Sequence, residues 1–343
     1  MKGGAHGATT KPFNELDLIR WIKKHHSGKS RDIILGIGDD CAAIKPAKGK
    51  VTLVTTDTLT EEVHFSRKLT PAKLLGAKSA AVNLSDIAAM GGEPKYALLS
   101  PCLPKGLEHG WIKDFLKGFH ETLKRHGCIL IGGNVSSAKD WISVTVTVMG
   151  QIAENRIVKR DGAKPGDLIY ITGTPGDSAM GLDLLLSGRK PGDKADKYLV
   201  SRHLSPTPRV EWGRLIAEKG LASAMIDVSD GLALDLLRLV EASNVCADMS
   251  LESIPLSVPT ARTLVSMKED EGWRRILNGG EDYELLFTVH PKKESLLKKL
   301  IGSGKIVASK IGHVTDASKP AIRFSYSSGR VLKMRQYGYV HSL

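Results

Sequence analysis

Five short acidic segments lie where an apolar run of this chain meets a turn, and no other feature restricts the fold as much. They are Gly-Asp-Asp at 38–40, Thr-Thr-Asp at 55–57, Asn-Leu-Ser-Asp at 83–86, Asp-Val-Ser-Asp-Gly at 227–231 and Gly-Gly-Glu-Asp at 279–282. Carboxylates in such positions, with hydroxyls and glycines beside them, suit Mg²⁺, which takes hard oxygen ligands and shares them with phosphate oxygens. The pattern therefore predicts a magnesium–polyphosphate site, as expected of an enzyme that uses ATP.

Strand-like and helix-like patterns occur in both halves of the chain. Alternation from Val51 to Leu59 predicts a strand with Thr55 and Asp57 on one face. Further strands are predicted at 128–131, 142–149, 168–172, 224–228 and 283–289, and helices at 14–26, 71–90, 108–126 and 232–242. This mixture predicts an α/β (α+β) protein of two domains, 1–153 and 154–343. The boundary between them precedes a predicted turn cluster at 161–167.

The composition is that of an ordinary soluble protein, with 41% hydrophobic and 25% charged residues among 343. No apolar run approaches the ~18 residues of a membrane helix, so no membrane partner is expected. Four widely spaced cysteines form no C-x-x-C pair, which argues against a zinc site and a disulfide framework. We therefore expect a cytoplasmic protein.

The chain is strongly basic, with a formal net charge of +12 and a pI of about 9.4. Such a surface attracts nucleic acid or any anionic ligand. The lysines are dispersed, however, and aromatic residues make up only 5% of the chain. These features favour a small anionic ligand over nucleic acid.

Simpler interpretations exist for some of these motifs. The loop 173–178 lies between a predicted strand and a predicted helix, as a phosphate loop does, but it lacks the G-K-[ST] ending, and a tight turn is favoured. Asp40 also fits a plain turn, and Asp230 also fits a helix N-cap. Both alternatives stay open from the sequence.

Longer stretches around these residues resemble the thiamine-monophosphate kinase family, whose superfamily includes aminoimidazole ribonucleotide synthetase. They follow the family order and cover nearly the whole chain: GIGDDCA at 36–42, TTDTL at 55–59, VHF at 63–65, AVNLSDIAAMG at 81–91, GAKPGD at 162–167, TGTPGDS at 172–178, DVSDGL at 227–232 and GGEDYEL at 279–285. The resemblance implies an N-terminal domain that binds metal and ATP and whose mixed sheet pairs across a homodimer. It also implies a C-terminal α/β domain, and ATP and thiamine monophosphate as substrates.

The resemblance also implies roles for individual residues. Several Mg²⁺ ions would be held by Asp40, Thr55, Thr56, Asp57, Asp86, Asp227 and Asp230, with Asp57, Asp86 and Asp230 closest to the chemistry. The nucleotide would contact Gly133, Asn134, Arg160 and Ser229. Thiamine monophosphate would contact His64, Glu281 and Tyr339.

One position departs from the family pattern. The family usually has Gly-Gly-Asp-Thr where this chain has Gly-Gly-Asn-Val at 132–135. Asn134 resembles the formylglycinamidine synthetase branch of the superfamily, so a related ATP-dependent enzyme acting on a formyl-amide nucleotide is an alternative. A weakened ATP-binding protein is a second alternative.

Overall fold

The computed structural model describes residues 15–26, 28–35, 37, 42–188, 190–316 and 319–339. The chain divides into two compact units. The first contains the described residues of Met1–Pro46 together with Thr56–Ala80 and Tyr96–Thr147. The second contains Ala47–Thr55, Ala81–Lys95 and the described residues of Val148–Leu343.

The elements of the N-terminal part alternate between helix and strand. In chain order they are α1 (Glu15–His26), β1 (Ile33–Leu35), β2 (Ala43–Ile44), β3 (Val51–Thr60), α2 (Ala72–Ala89), β4 (Glu93–Pro104), α3 (His109–Arg125), β5 (Ile129–Gly133), β6 (Ser136–Ala138) and β7 (Ser143–Ile152).

The C-terminal part contains the remaining helices and strands of the described chain. They are β8 (Leu168–Thr172), α4 (Asp177–Leu186), α5 (Lys194–Leu204), α6 (Val210–Glu218), β9 (Ala222–Asp227), α7 (Leu232–Ser243), β10 (Cys246–Ser250), α8 (Val258–Val265), α9 (Glu269–Asn278), β11 (Leu285–Val289), α10 (Glu294–Gly302), β12 (Ala308–Thr315) and β13 (Ala321–Ser325).

Both large sheets are mixed. The N-terminal sheet has the strand order β3-β7-β4-β5, with β6 also beside β4, and β4 runs parallel to β5 and β6. The C-terminal sheet has six strands in the order β13-β10-β12-β8-β11-β9. In this sheet β10 and β13 are parallel, whereas the other neighbours are antiparallel. The predicted α/β (α+β) class is therefore confirmed.

The core of the second unit brings two of the acidic segments together. All five residues of β11 are buried, as expected of a strand covered on both faces. Helix α7 adds Leu232, Leu236 and Leu239 to the same core. Because β9 and β11 are antiparallel with Asp227 opposite Leu285, the segment that follows β9 lies beside the segment that precedes β11.

The predicted elements agree closely with the observed ones, and β4 is the main N-terminal strand that the sequence did not predict. Its residues Pro94, Pro101 and Pro104 interrupt the strand signal, since proline is uncommon inside sheets. Among the described residues, no helix combines the length and the apolar character needed to cross a membrane.

Close contact between α2 and α3 in the first unit depends on glycine. A Cβ added at Gly118 would lie 1.8 Å from the carbonyl oxygen of Lys73, and one at Gly76 would lie 1.9 Å from the carbonyl oxygen of Phe115. These distances leave no room for a methyl group, so the small residues of α2 and α3 set the spacing between the two helices.

We expect Gly118→Ala to lower the free energy of unfolding by about 1–3 kcal/mol, because the added methyl group forces the helices apart. Gly110→Ala on the same helix is the control, since nothing lies within 4 Å of its added Cβ. It should be neutral or stabilising by up to about 1 kcal/mol. Urea denaturation measures both, and equal stability of the two variants would contradict the proposed contact.

Candidate active site

Two carboxylates from distant parts of the sequence meet in the second unit. Asp86 lies on α2, and Asp227 is the last residue of β9. The Ser85 hydroxyl donates a hydrogen bond to Asp227 Oδ2 at 2.7 Å, and the Thr55 hydroxyl donates to Asp86 Oδ2 at 2.5 Å. We call these four residues the carboxylate cluster.

Burial and mutual repulsion determine the electrostatics of the carboxylate cluster. Burial raises the pKa of Asp227 well above its ordinary value, and the charge of Asp86 raises it further. Burial also raises the pKa of Asp86. The bound hydroxyls and the charge of Arg160 oppose both shifts. Because like charges raise each other's pKa, a cation between the two carboxylates would relieve their repulsion.

The donor atoms of the carboxylate cluster fit Mg²⁺. This ion usually takes one or two protein carboxylates and completes its shell with water and phosphate oxygens. In the part of the chain that the structure describes, no three histidine, cysteine or acidic side chains are grouped so as to hold a metal ion. The two carboxylates and two hydroxyls of the carboxylate cluster would leave positions around such an ion for water or phosphate oxygens.

Asp235 on α7 holds the turn that follows β9. Its Oδ2 accepts hydrogen bonds from the backbone N–H groups of Ser229 at 3.0 Å and Asp230 at 2.9 Å. Arg238 Nη1 donates to Asp235 Oδ1 at 2.7 Å and to Asp230 Oδ2 at 2.6 Å. The fully buried Asp235 thus fixes the backbone of the turn, while Arg238 fixes the Asp230 side chain.

The alternative that Asp230 is a helix N-cap is wrong. The N-cap residue of α7 is Gly231, and no side chain caps the helix there. The Asp230 carboxylate is directed to Arg238 instead.

The segment that precedes β11 is bound to the same turn through its backbone. The N–H of Glu281 donates to the Ser229 carbonyl at 2.7 Å, and the N–H of Tyr283 donates to the Val228 carbonyl at 2.8 Å. A Cβ at Gly280 would lie 2.5 Å from the Ser229 oxygen, so this approach requires glycine. The acidic segments 227–231 and 279–282 therefore form one connected structure.

Asp282 occupies the N-terminus of α4. Its carboxylate accepts hydrogen bonds from the N–H groups of Gly176 at 2.7 Å and Ser178 at 3.1 Å. The side chain is completely buried, and burial raises its pKa to about 7 despite these bonds. Since a protein carboxylate already satisfies these donors, the geometry favours a tight turn over a phosphate loop at 173–178.

Three further predicted residues of the second unit lie near these segments. The N–H of Tyr339 donates to the Asp230 carbonyl at 2.9 Å, and its side chain is half exposed. The exposed Arg160 lowers the pKa of Asp86 through its charge. One carboxylate oxygen of Glu281 lies 3.3 Å from His203 Nδ1.

Asp57, Thr56 and His64 belong to the first unit. Asp57 is exposed on β3. The Thr56 hydroxyl donates to the Val146 carbonyl at 3.1 Å, and since side chains alternate along a strand, it lies on the face opposite Asp57. His64 Nδ1 accepts a hydrogen bond from the N–H of Thr60 at 3.0 Å, which fixes its ring.

Gly133 and Asn134 also belong to the first unit, where they follow β5. A Cβ at Gly133 would lie 1.9 Å from the Leu99 carbonyl oxygen, and the N–H of Asn134 donates to that oxygen at 3.1 Å. The Gly133 position therefore tolerates no side chain. Asp40 lies outside the described residues.

The sequence did not assign roles to Ser85, Asp235, Arg238 or His203, although each contacts a predicted site residue. Asp235 and Arg238 are three residues apart on a helix, which is the spacing of a surface ion pair. That spacing alone does not reveal that Asp235 is buried beneath a turn. His203 has no detectable sequence signal, because its partners are distant along the chain.

We expect Asp235→Ala to lower the free energy of unfolding by about 1–3 kcal/mol, since two backbone N–H groups lose their acceptor. Asp235→Asn keeps one acceptor oxygen and should lose less than half as much. Glu241→Ala, at an exposed position of the same helix, should change stability by no more than about 0.5 kcal/mol. Urea denaturation tests this order, and equal losses for Ala and Asn at position 235 would contradict it.

Two family profiles match this chain. The profile described as AIR synthase related protein, N-terminal domain, matches residues 38–152, and the corresponding C-terminal domain matches residues 164–325. Together they cover both parts of the chain that carry the acidic segments.

Relatives and solved structures agree with these profiles. The thiamine-monophosphate kinase of Buchnera aphidicola subsp. Schizaphis graminum is 41% identical over 308 residues, which are 90% of this chain and 93% of the relative. The thiamine-monophosphate kinase structure from Stenotrophomonas maltophilia K279a has a TM-score of 0.79 at 36% identity, with 90% of this chain and 95% of the other covered.

A third similar protein was solved with ligands. The structure described as AaThiL complexed with AMPPCP and TMP has a TM-score of 0.75 at 34% identity, with 98% of this chain and 100% of the other covered. On these likenesses, over nearly its whole length, the chain belongs to the thiamine-monophosphate kinase family of AIR synthase related proteins.

Proposed function

We propose that this protein transfers a phosphoryl group from ATP to thiamine monophosphate and forms thiamine diphosphate and ADP. The observation that carries the proposal is the carboxylate cluster, in which the buried Asp227 and the partly buried Asp86 are held by hydroxyls in a chain of this family. Kinase relatives of up to 41% identity and the relative solved with AMPPCP and TMP support the same substrates.

The chemistry requires position and charge rather than a strong base. The nucleophile is a phosphate oxygen that is already anionic, so the protein has to align two anions and reduce their repulsion. Two unit charges about 4 Å apart repel by ~1 kcal/mol in water and by several times more at a partly buried site. We therefore propose direct in-line transfer without a phosphoenzyme.

Metal binding is assigned to the acidic segments. We propose Asp40, Thr55, Thr56, Asp57, Asp86, Asp227 and Asp230 as the residues that hold Mg²⁺. The bound ions would neutralise the triphosphate and its acceptor. Within this set, Asp57, Asp86 and Asp230 serve catalysis, and the Arg238 bond to Asp230 keeps that carboxylate in one orientation.

Nucleotide and acceptor are assigned to different residues. ATP would contact Arg160 and Ser229 as well as the backbone around Gly133 and Asn134. Thiamine monophosphate would contact His64, Glu281 and Tyr339. The Glu281 backbone is bonded to Ser229, so acceptor and nucleotide contacts share one turn.

The same proposal includes the organisation of the chain. Residues 1–153 form the metal- and ATP-binding domain, which also forms a homodimer through its sheet, and residues 154–343 form the C-terminal domain. Strand β3 supports the homodimer, because it stands at one end of the strand order and its Val54 is 65% exposed.

Asn134 carries the alternative proposal that the acceptor is a formyl-amide nucleotide. ADP release with such a nucleotide, and none with thiamine monophosphate, would establish that alternative. Binding of ATP and Mg²⁺ without turnover of either acceptor would instead indicate a weakened ATP-binding protein.

We expect a coupled ADP assay with thiamine monophosphate to show turnover, and Asp57→Asn to reduce kcat by about 100-fold or more through the loss of a charged ligand. Asp114→Asn, which makes the same charge change at an exposed position of α3, should retain full activity. An inactive unmodified enzyme would overturn the proposed function, whereas full activity of Asp57→Asn would overturn the role of Asp57.

Asn134 provides a separate test, because a carboxamide offers one neutral oxygen where the family has a charged carboxylate. We expect Asn134→Asp to lower the Mg²⁺ concentration for half-maximal rate by about tenfold, the effect of one charge-assisted contact. Asn155→Asp, at an exposed position, should leave it unchanged. Unaltered magnesium dependence and rate in Asn134→Asp would contradict the assignment.

A further inference from the structure

We propose that His203 is a positioning residue that orients the Glu281 carboxylate toward the acceptor substrate. The inference rests on the proposed function, since it deepens the role of Glu281 in binding thiamine monophosphate. His203 lies on α5, far from the acidic segments along the chain.

Two oxygen atoms lie close to one nitrogen of the His203 ring. His203 Nδ1 lies 3.3 Å from Glu281 Oε2 and 3.1 Å from the Ser178 hydroxyl oxygen. An ionised carboxylate can only accept a hydrogen bond, so attraction between the two side chains requires a proton on Nδ1, whereas the Ser178 hydroxyl is compatible with either tautomer. The side chain of His203 is only 7% exposed, which restricts the ring to few orientations.

The Glu281 backbone has an uncommon conformation that its surroundings hold in place. Its φ is 67°, and the φ of Tyr283 is 51°, although neither residue is glycine. Left-handed residues of this kind cost about 1–3 kcal/mol each and persist where the surrounding structure enforces them. Backbone bonds to Ser229 and Val228 enforce them here.

The neighbouring acids are committed to structural contacts. Asp282 accepts from the N-terminus of α4, and Glu284 is paired with Arg202 and Arg209. Both acids are completely buried, whereas the Glu281 side chain is 23% exposed. Of the three, Glu281 is therefore the carboxylate that a ligand can reach.

Helix α5 is anchored to the same loop beside His203. Arg202, the preceding residue, donates to Glu284 Oε1 at 2.8 Å and to the Asp282 carbonyl at 3.4 Å. His203 and Glu281 are thus held at a fixed separation by structure outside their own contact.

This arrangement suits the charge of the acceptor. Thiamine monophosphate carries a cationic thiazolium ring besides its phosphate, and a carboxylate of fixed orientation complements a cation better than one free to rotate. The geometry assigns His203 to restrict that rotation. It is not placed in contact with the substrate.

Substitutions at position 203 test the Nδ1 contact. We expect His203→Leu to raise the KM for thiamine monophosphate about tenfold, because the Glu281 carboxylate loses a polar contact that limits its orientation, with kcat and the KM for ATP changed by less than about twofold. His203→Asn places an amide donor near the Nδ1 position and should recover most of the loss. His203→Gln places it near Nε2 and should recover less.

Two controls separate positioning from a general structural role. His313→Leu removes an exposed histidine that lies 4.0 Å from Asp248 and should leave both KM values unchanged. His203→Leu in an enzyme that already carries Glu281→Gln should raise the KM for thiamine monophosphate by less than about twofold, because the two residues act through one contact.

The inference is overturned if His203→Leu raises both KM values equally, if Asn and Gln rescue equally, or if the effects of His203→Leu and Glu281→Gln are additive. Should His203→Leu fail to fold, the Asn and Gln variants decide, and equal KM values for thiamine monophosphate in the two overturn it. Absence of turnover in the unmodified enzyme overturns the proposed function as well. An active enzyme without the selective KM change overturns the inference alone.

Discussion

The proposed chemistry depends on two carboxylates that the second unit holds close together, those of the buried Asp227 and the partly buried Asp86. Hydroxyl groups from Thr55 and Ser85 each donate one hydrogen bond, and the charge of Arg160 adds a weak attraction. These contacts do not cancel the cost, because the pKa of Asp227 stays well above its ordinary value. The Mg²⁺ proposed above would relieve the repulsion between the two carboxylates, and the hydroxyl beside each acid partly does so in its absence.

A single turn connects the carboxylate cluster to Glu281, which is proposed to contact the acceptor substrate. The Asp235 carboxylate and the N–H of Glu281 both form hydrogen bonds with the backbone of the turn that follows Asp227. Because both attachments use main-chain groups of the turn, a displacement of the Ser229 backbone would also move Glu281. Among the residues proposed to bind the substrates, Ser229 and Glu281 thus share one rigid support, whereas His64, Gly133 and Asn134 belong to the first unit.

Local patterns in the sequence were enough to predict much of the fold but little of the support beneath the site. Alternation predicted β3 and β7, and helical spacing predicted α1, since each signal lies within one segment. The proline-rich β4 was not predicted, because its prolines weaken the local strand signal. Its pairing with β5 and β6 involves residues that are distant along the chain. Asp235 and His203 were not predicted either. Their roles depend on contacts between segments that are distant along the chain. The acidic segments, in contrast, could be recognised from their residue types alone.

The capping of α4 by Asp282 has a consequence for how this unit distinguishes anions. The carboxylate is tethered to the same chain, so its effective concentration at the helix terminus exceeds that of any dissolved anion. A free phosphate or sulfate ion would have to displace Asp282 to reach these N–H groups, whereas an uncapped terminus would attract such ions. The N-terminus of α4 therefore contributes to internal order, whereas many nucleotide-binding folds use such a terminus to hold a phosphate.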